Sequence, residues 1–483
     1  MHLDTRTQLL FDEYFLERAE GVRLCMNAPV QHPEPVLVPD KPWEALGIAG
    51  YNTVLHEDGR FRLWYGAMMK QGLPQEGAIR LCYAESADGV HWEKPELNLL
   101  PFQGSTANNI VAPPLERQSQ QGATVYRDER APAEERYKLW TKFRPTDDEI
   151  AAGRLSGLYA MTSPDGLRWT IAPDQPNPPE QMCDTQNMFF WDDRIAQYVG
   201  YTRVSETQMW GEAAEGGIAR YRSIGRITSP DFRTWSETQI VLQADETDLA
   251  IPLPEPKVGA RPPVDVYTSC AMKLPHAQDA YLMLPSFYYH WGAEDEPATL
   301  DVQLLTSRDG IAWRRAGGRQ PFLRHGLDGS ASSGMLFANP WPIPVGNEVW
   351  LYYMGTSRRH RPSSEPVRCG LFRASLRRDG YVSADADYSG GEFTTPPFTF
   401  DGDRLEVNAD GSAAGWLNVE IQDPAGRPLP GYTTADTHPV LGNRLDHPVT
   451  WKAHADLAEL AGRPIRLRFI MRDIKLYAFR IIP

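Results

Sequence analysis

The sequence has no surplus of positive charge: 49 lysines and arginines stand against 63 aspartates and glutamates, a formal net charge of −14. Nucleic acid and an anionic membrane surface both need a basic footprint, so neither is expected as a partner. Long apolar runs are missing too. No stretch reaches the ~20 apolar residues of a membrane helix, and residues 1–10 lack the basic-then-apolar pattern of a secretory leader. A soluble, cytoplasmic protein is expected. Cysteine is scarce and odd in number: Cys25, Cys82, Cys183, Cys270 and Cys369 lie far apart, mostly in strand-like runs. That spacing argues against a disulfide or metal framework. Helical 3.6-residue periodicity is scarce as well, which leaves period-2 alternation as the dominant signal and an all-β chain as the expectation.

What the chain does have is a repeat. Ser-X-Asp-Gly-X-X-Trp occurs at 86–92, 163–169 and 307–313; residues 229–235 keep Ser, Asp and Trp, and 375–381 keep Asp-Gly and an aromatic residue. The aspartates 88, 165, 231, 309 and 379 are 77, 66, 78 and 70 residues apart. Near-even spacing marks a repeat fold. Between the motifs runs an aromatic, β-branched strand at 60–65, 136–140, 196–201, 280–284 and 348–353, preceded by a first strand at 51–56, 123–127, 185–191, 267–273 and 334–340. Four antiparallel strands per unit in five units predict a five-bladed β-propeller over 45–390. The Asp-Gly pairs suit the turn between third and fourth strands, where positive φ is cheap for Gly and Asp can bond its own backbone. The Trp that follows is expected to pack between blades. After Gly390-Gly391 the repeat stops and alternation continues, for example at 416–421 and 465–470, so 391–483 reads as a β-sandwich. Residues 1–44 are expected to cross the propeller or supply an outer strand that closes the ring.

In a propeller the starts of first strands, ends of second strands and starts of third strands meet at one mouth, the natural ligand site of the fold. By that rule the first unit offers Glu44, Tyr51 and Asn52; the second Gln120, Gln121, Lys142 and Arg144; the third Asp184, Gln186, Asn187 and Arg203. The fourth offers Asp265, Tyr267, His290, Trp291 and Asp301, and the fifth Asp328, Arg358, Arg359 and His360. Carboxylates, amides and guanidinium groups pair with sugar hydroxyls, and aromatic rings cover the apolar faces of sugars. Asp265 and Asp301 are each flanked by apolar residues, a costly setting for a charge without a partner or a function. A salt bridge would explain them as well, a capped strand start would explain 184–187, and solvated loops would explain Glu44 and Asp328. The repeat aspartates lie at the other end of the blades and read as structural.

With these residues the chain resembles the five-bladed propeller glycoside hydrolases of families 32, 43, 62, 68 and 117, over residues 45–390 by blade pattern. Its C-terminal region resembles the sandwich that follows the propeller in family 32. The resemblance implies three acidic residues in an axial pocket: a nucleophile or base, a general acid, and one that fixes substrate. The family elements are not all present: the first inner strand reads Gly50-Tyr51-Asn52-Thr53, without an acid, and the Arg-Asp-Pro and Glu-Cys elements are absent. Asp184, Asp265 and Asp301 are therefore the expected catalytic carboxylates, with Glu44 in reserve. Tyr51, Asn52, Gln186, Asn187, Arg203, Tyr267, His290, Trp291, Asp328, Arg358 and His360 are the expected substrate contacts. The implied activity is hydrolysis of a terminal glycosidic bond, with a furanosidase foremost. A phosphorylase using Arg358, Arg359 and His360, or a non-catalytic carbohydrate-binding propeller, are the alternatives. No cofactor is required; a structural calcium is compatible with the fold, though no motif calls for it.

Overall fold

The computed structural model describes residues 1–69, 79–111, 121–143, 147–153, 155, 157–171, 184–204, 222–251, 264–289, 299–359 and 367–483. Of the residues singled out in the sequence, Gln120, Arg144, Cys183, His290, Trp291 and His360 lie outside them. The chain is all-β, with propeller-like sheets and helices of a single turn. Four sheets have four strands each. The first pairs Gly47–Ile48, Thr53–Glu57 and Ile79–Ser86 with Arg60–Met68; the second runs Gln121–Arg127, Tyr137–Phe143, Gly157–Ser163, Thr170–Ile171. The third runs Met188–Asp192, Gln197–Arg203, Ile224–Ser229, Gln239–Leu242.

The fourth repeat is built differently. Its strands break midway, at Cys270 with φ +43 in the first and at Pro285 in the second, where no N–H is available for a ladder. The half beside the repeat turn forms its own sheet, Ala271–Lys273, Tyr281–Met283, Leu305–Ser307, Arg314–Arg315. The other half, Val264–Val266, Ser286–Tyr289 and Thr299–Val302, joins Met335–Ala338 through the parallel pair Leu300 and Met335. The fifth repeat's strands thereby belong to an eight-stranded path, and among the described residues there is no fifth separate four-stranded sheet. This path ends on the N-terminal segment, where Val30–Gln31 pairs with Cys369–Arg377.

The repeat turns pin one unit to the next. At Asp309 the carboxylate accepts from the amides of Ile311 and Ala312 at 2.8 Å each, and Ser307 Oγ accepts from Gly310 N at 2.9 Å. Gly310 has φ +71, and its carbonyl accepts from Tyr201 OH at 2.7 Å. In the same way the Gly166 carbonyl accepts from Trp64 Nε1 at 2.6 Å, and that of Gly89 from Tyr352 OH at 2.8 Å. The degenerate copy replaces glycine with Phe232, φ +62, whose ring stacks 5.9 Å from Trp140. At the last copy Asp379 instead accepts from His276 at 2.7 Å. Each copy thus touches the second strand or its neighbourhood in the preceding unit, and the first copy touches the fifth unit. A second set of locks went unread in the sequence. Glu57, Asp128 and Asp192, at the ends of first strands, accept from Tyr137, Tyr198 and Tyr281 of the following unit, and each also meets a cation, Arg62, Lys138 or Lys273.

The C-terminal strands form another eight-stranded hydrogen-bonded path. Gly391–Thr394, Arg404–Gln422, Asn443–Pro448 and Arg466–Ile482 are joined by Val382–Ala386 and by three N-terminal strands, Gln8–Leu9, Arg18–Glu20 and Val22–Met26. Register breaks at 408/409 and 411/416 bend the two longest strands around a core that includes Phe393, Leu417, Val419, Phe469 and Phe479. Asp12, which caps the short helix Glu13–Phe15, also holds the Arg308 guanidinium at 2.8 Å and so ties residues 1–26 to the fourth repeat.

Candidate functional site

A cavity of about 470 Å³ opens where the first strands start. Its lining includes Tyr51, Gln121, Asp184, Tyr267, Met335 and Arg358, drawn from all five repeats, as the mouth rule requires. Asp184 precedes the strand Met188–Asp192 and is half-exposed, at 51%, whereas its partner Arg203 is buried at 5%. Arg203 Nη1 donates to Asp184 Oδ1 at 2.5 Å and Nη2 to the Tyr267 carbonyl at 3.3 Å. The same guanidinium lies 4.7 Å over the Tyr267 ring. An arginine bonded to two different acceptors and stacked on a ring has little freedom left, so its charge-assisted bond anchors one oxygen of the Asp184 carboxylate.

Asp265 sits behind this arrangement. It is buried at 1%, accepts from Arg222 Nη1 at 2.9 Å, and does not line the cavity. Arg222 lies 5.1 Å over Tyr267 and 5.3 Å over Tyr288. Asp265 holds the Arg222 cation well above its ordinary range despite burial, which acts the other way. Two carboxylate–arginine pairs therefore share the Tyr267 ring. Tyr51 packs edge-on to Phe337 at 5.4 Å, and burial pushes its hydroxyl far above the usual phenol range.

Other expected residues lie elsewhere. Asp301 is opposite Phe287 in register while Asp265 is opposite Tyr288, and alternation puts the two acids on opposite faces of one sheet. Burial raises the Asp301 carboxyl to about 7, with Arg324 opposing. Glu44 is also turned away: it accepts from Tyr65 OH at 2.5 Å, Lys94 Nζ at 2.8 Å and the amides of Asp40 and Lys41. Its side chain is fully buried, so the ion pair and helix cap occupy it completely. Asp328 is in an exposed turn. Asn52 is buried against its own chain, donating to the Ala49 carbonyl at 3.3 Å. Gln186 donates across the axis to the Ala338 carbonyl at 3.2 Å, and Asn187 to the Thr185 carbonyl at 3.0 Å. Sequence reasoning passed over Arg222 and Thr356, although the rule about third-strand starts and second-strand ends names both positions. Among the described residues no group of three or more His, Cys, Asp or Glu is placed to hold a metal ion, and no helix is long and apolar enough to cross a membrane.

No family model matches the chain. A stretch of 120 residues, 25% of the chain, is 30% identical to each of two uncharacterized proteins of Mycobacterium tuberculosis, from strains CDC 1551 and H37Rv. The match spans 32% of the length of each, about a third of these relatives. Among solved structures the chain is similar in outline to an N-acetylgalactosamine deacetylase from F. plautii in complex with blood group B trisaccharide. There identity is 15% and the TM-score 0.45, over 74% of this chain and 96% of that one. A β-1,2-mannobiose phosphorylase from Listeria innocua gives 14% and 0.45 over 72% and 96%, and a GH62 hydrolase in complex with xylotriose 12% and 0.45 over 73% and 98%.

Proposed function

We propose that this chain is a glycoside-cleaving enzyme, a five-bladed propeller followed by a β-sandwich, that acts on the terminal sugar of an oligo- or polysaccharide in its axial cavity. Five blades are supported by the turn contacts, which return to their starting unit after five copies. The sandwich is supported by the register breaks in the long C-terminal strands, since bulges are how strands pass from one layer to another.

The observation that carries the functional reading is Asp184, a half-exposed carboxylate at the cavity mouth, fixed by Arg203 beside the Tyr267 ring. A carboxylate so held can face an anomeric carbon or exchange a proton with the leaving oxygen. Tyr267 and Tyr51 would cover the apolar face of a sugar, and Gln121 would bond its hydroxyls. Asp265 is a positioning residue in this reading, acting through Arg222 and the shared ring. A fructo- or arabinofuranosidase is the form that the blade pattern favours.

Binding without cleavage is a second reading with one observation behind it: Asp184 is the sole carboxylate among the described lining residues, whereas glycoside hydrolysis uses two. Turnover of a panel of aryl furanosides, aryl pyranosides and short oligosaccharides separates the two. Cleavage of at least one member supports the enzyme, and saturable binding with no turnover of any member supports the second reading.

A further inference from the structure

The cavity carries a positive charge that nothing described in it neutralises. Asp184 is committed to Arg203 at 2.5 Å, and Arg358, which also lines the cavity, has a buried Nε without a hydrogen-bond partner among the described residues. Around Arg358 the wall is apolar, formed by Met335, Phe337, Met354 and Val367. An arginine whose Nε is shielded from water and that has no counter-charge among the described residues is a ready partner for an anion, and a local dielectric lower than water's strengthens that pairing.

A second donor is in place. Thr356 Oγ1 also lines the cavity and accepts from the Arg358 amide at 3.2 Å, so its own hydroxyl proton is left to donate. The backbone that carries the pair is fixed by close packing: a methyl group on Gly334 would stand 2.4 Å from the Arg358 carbonyl oxygen, and the Gly334 amide donates to the Thr356 carbonyl at 2.9 Å.

We infer that the axial cavity takes an oxyanion, a carboxylate on the sugar or a phosphate, bound by the Arg358 guanidinium and the Thr356 hydroxyl. This deepens the glycoside reading by assigning the substrate class as anionic, and it rests on that reading only for the sugar. Its geometry is the planar, two-pronged pairing that arginine offers to carboxylate and phosphate alike.

The test is calorimetric titration of the full chain, as wild type, Arg358→Gln and Arg358→Lys, with inorganic phosphate, glucuronate and glucose at low salt. Thermal melting of each variant without ligand confirms folding. The expected result is saturable binding of one or both anions, at least tenfold tighter than glucose, weakened at least tenfold by Arg358→Gln and less by Arg358→Lys. Phosphate alone binding identifies a free phosphate as the source, and glucuronate alone a sugar acid. Glucose binding as tightly as either anion, or anion binding unaltered in Arg358→Gln, overturns the inference. Cleavage of neutral glycosides by an unaltered Arg358→Gln enzyme would sink this inference and leave the glycoside reading standing; anion binding without any glycoside cleavage would do the reverse.

Discussion

Glu44 satisfies four donors at once, and removing its charge would leave the Lys94 ammonium, only 6% exposed, with the Val38 carbonyl and the outer carboxylate of Asp40. Glu44→Gln is therefore expected to destabilise the fold by roughly 3 kcal/mol, as breaking one side of a buried pair does. Turnover per folded molecule should be unaltered. Denaturant unfolding followed by activity at matched folded fraction checks both statements. Asp301 gives the opposite sign. Its folded pKa, about 7, lies above the ordinary ~3.9 of an aspartate. The folded state thus binds its proton more tightly, and this contribution to stability is complete below pH ~4 and is lost as pH rises through 7. Asp301→Asn removes that dependence. Its stability relative to wild type should rise from pH 4 to pH 8 by roughly 4 kcal/mol, read as a widening gap in melting temperature; a gap independent of pH would contradict the burial argument.

At the scale of elements, the repeat turn has two demands on its glycine, a positive φ and room for the neighbouring ring. A methyl group on Gly310 would sit 2.7 Å from Tyr201 OH, whereas Gly59, with φ +74, has nothing within 4 Å. Gly59→Ala should cost about 1 kcal/mol for the backbone conformation alone. Gly310→Ala should cost roughly 2–3 kcal/mol, since the lock to the preceding unit is disturbed as well. Equal losses in chemical denaturation would remove the packing part of the account. This motif was legible because local backbone chemistry writes it into adjacent residues. The carboxylate–tyrosine locks were not, because Asp128 and Tyr198, or Asp192 and Tyr281, are joined only by the docking of one sheet on the next. The break in the fourth repeat was hidden for a similar reason: Pro285 was visible, but the positive φ of Cys270 is set by tertiary packing.

At the scale of the whole molecule, residues 1–31 serve two bodies, supplying three strands to the C-terminal sheet and the outermost strand to the path that carries the fifth repeat. Deleting them should expose edges of both sheets and yield aggregated chain, not a smaller soluble propeller, as gel filtration would report. The mouth of the cavity was legible in outline, because alternation and turn polarity place Tyr51, Asp184, Tyr267 and Arg358 at one end of the strands. Which acids reach it was not. Asp265 and Asp301 have the same apolar flanks in sequence, and only strand register sends them to opposite faces. The central claim, that Asp184 is the working carboxylate of a glycoside-cleaving cavity, is tested most directly by kcat/KM of Asp184→Asn on the best substrate of the panel. The account predicts a loss of at least ~100-fold with melting temperature within a few degrees of wild type; turnover equal to wild type in a folded variant would contradict it.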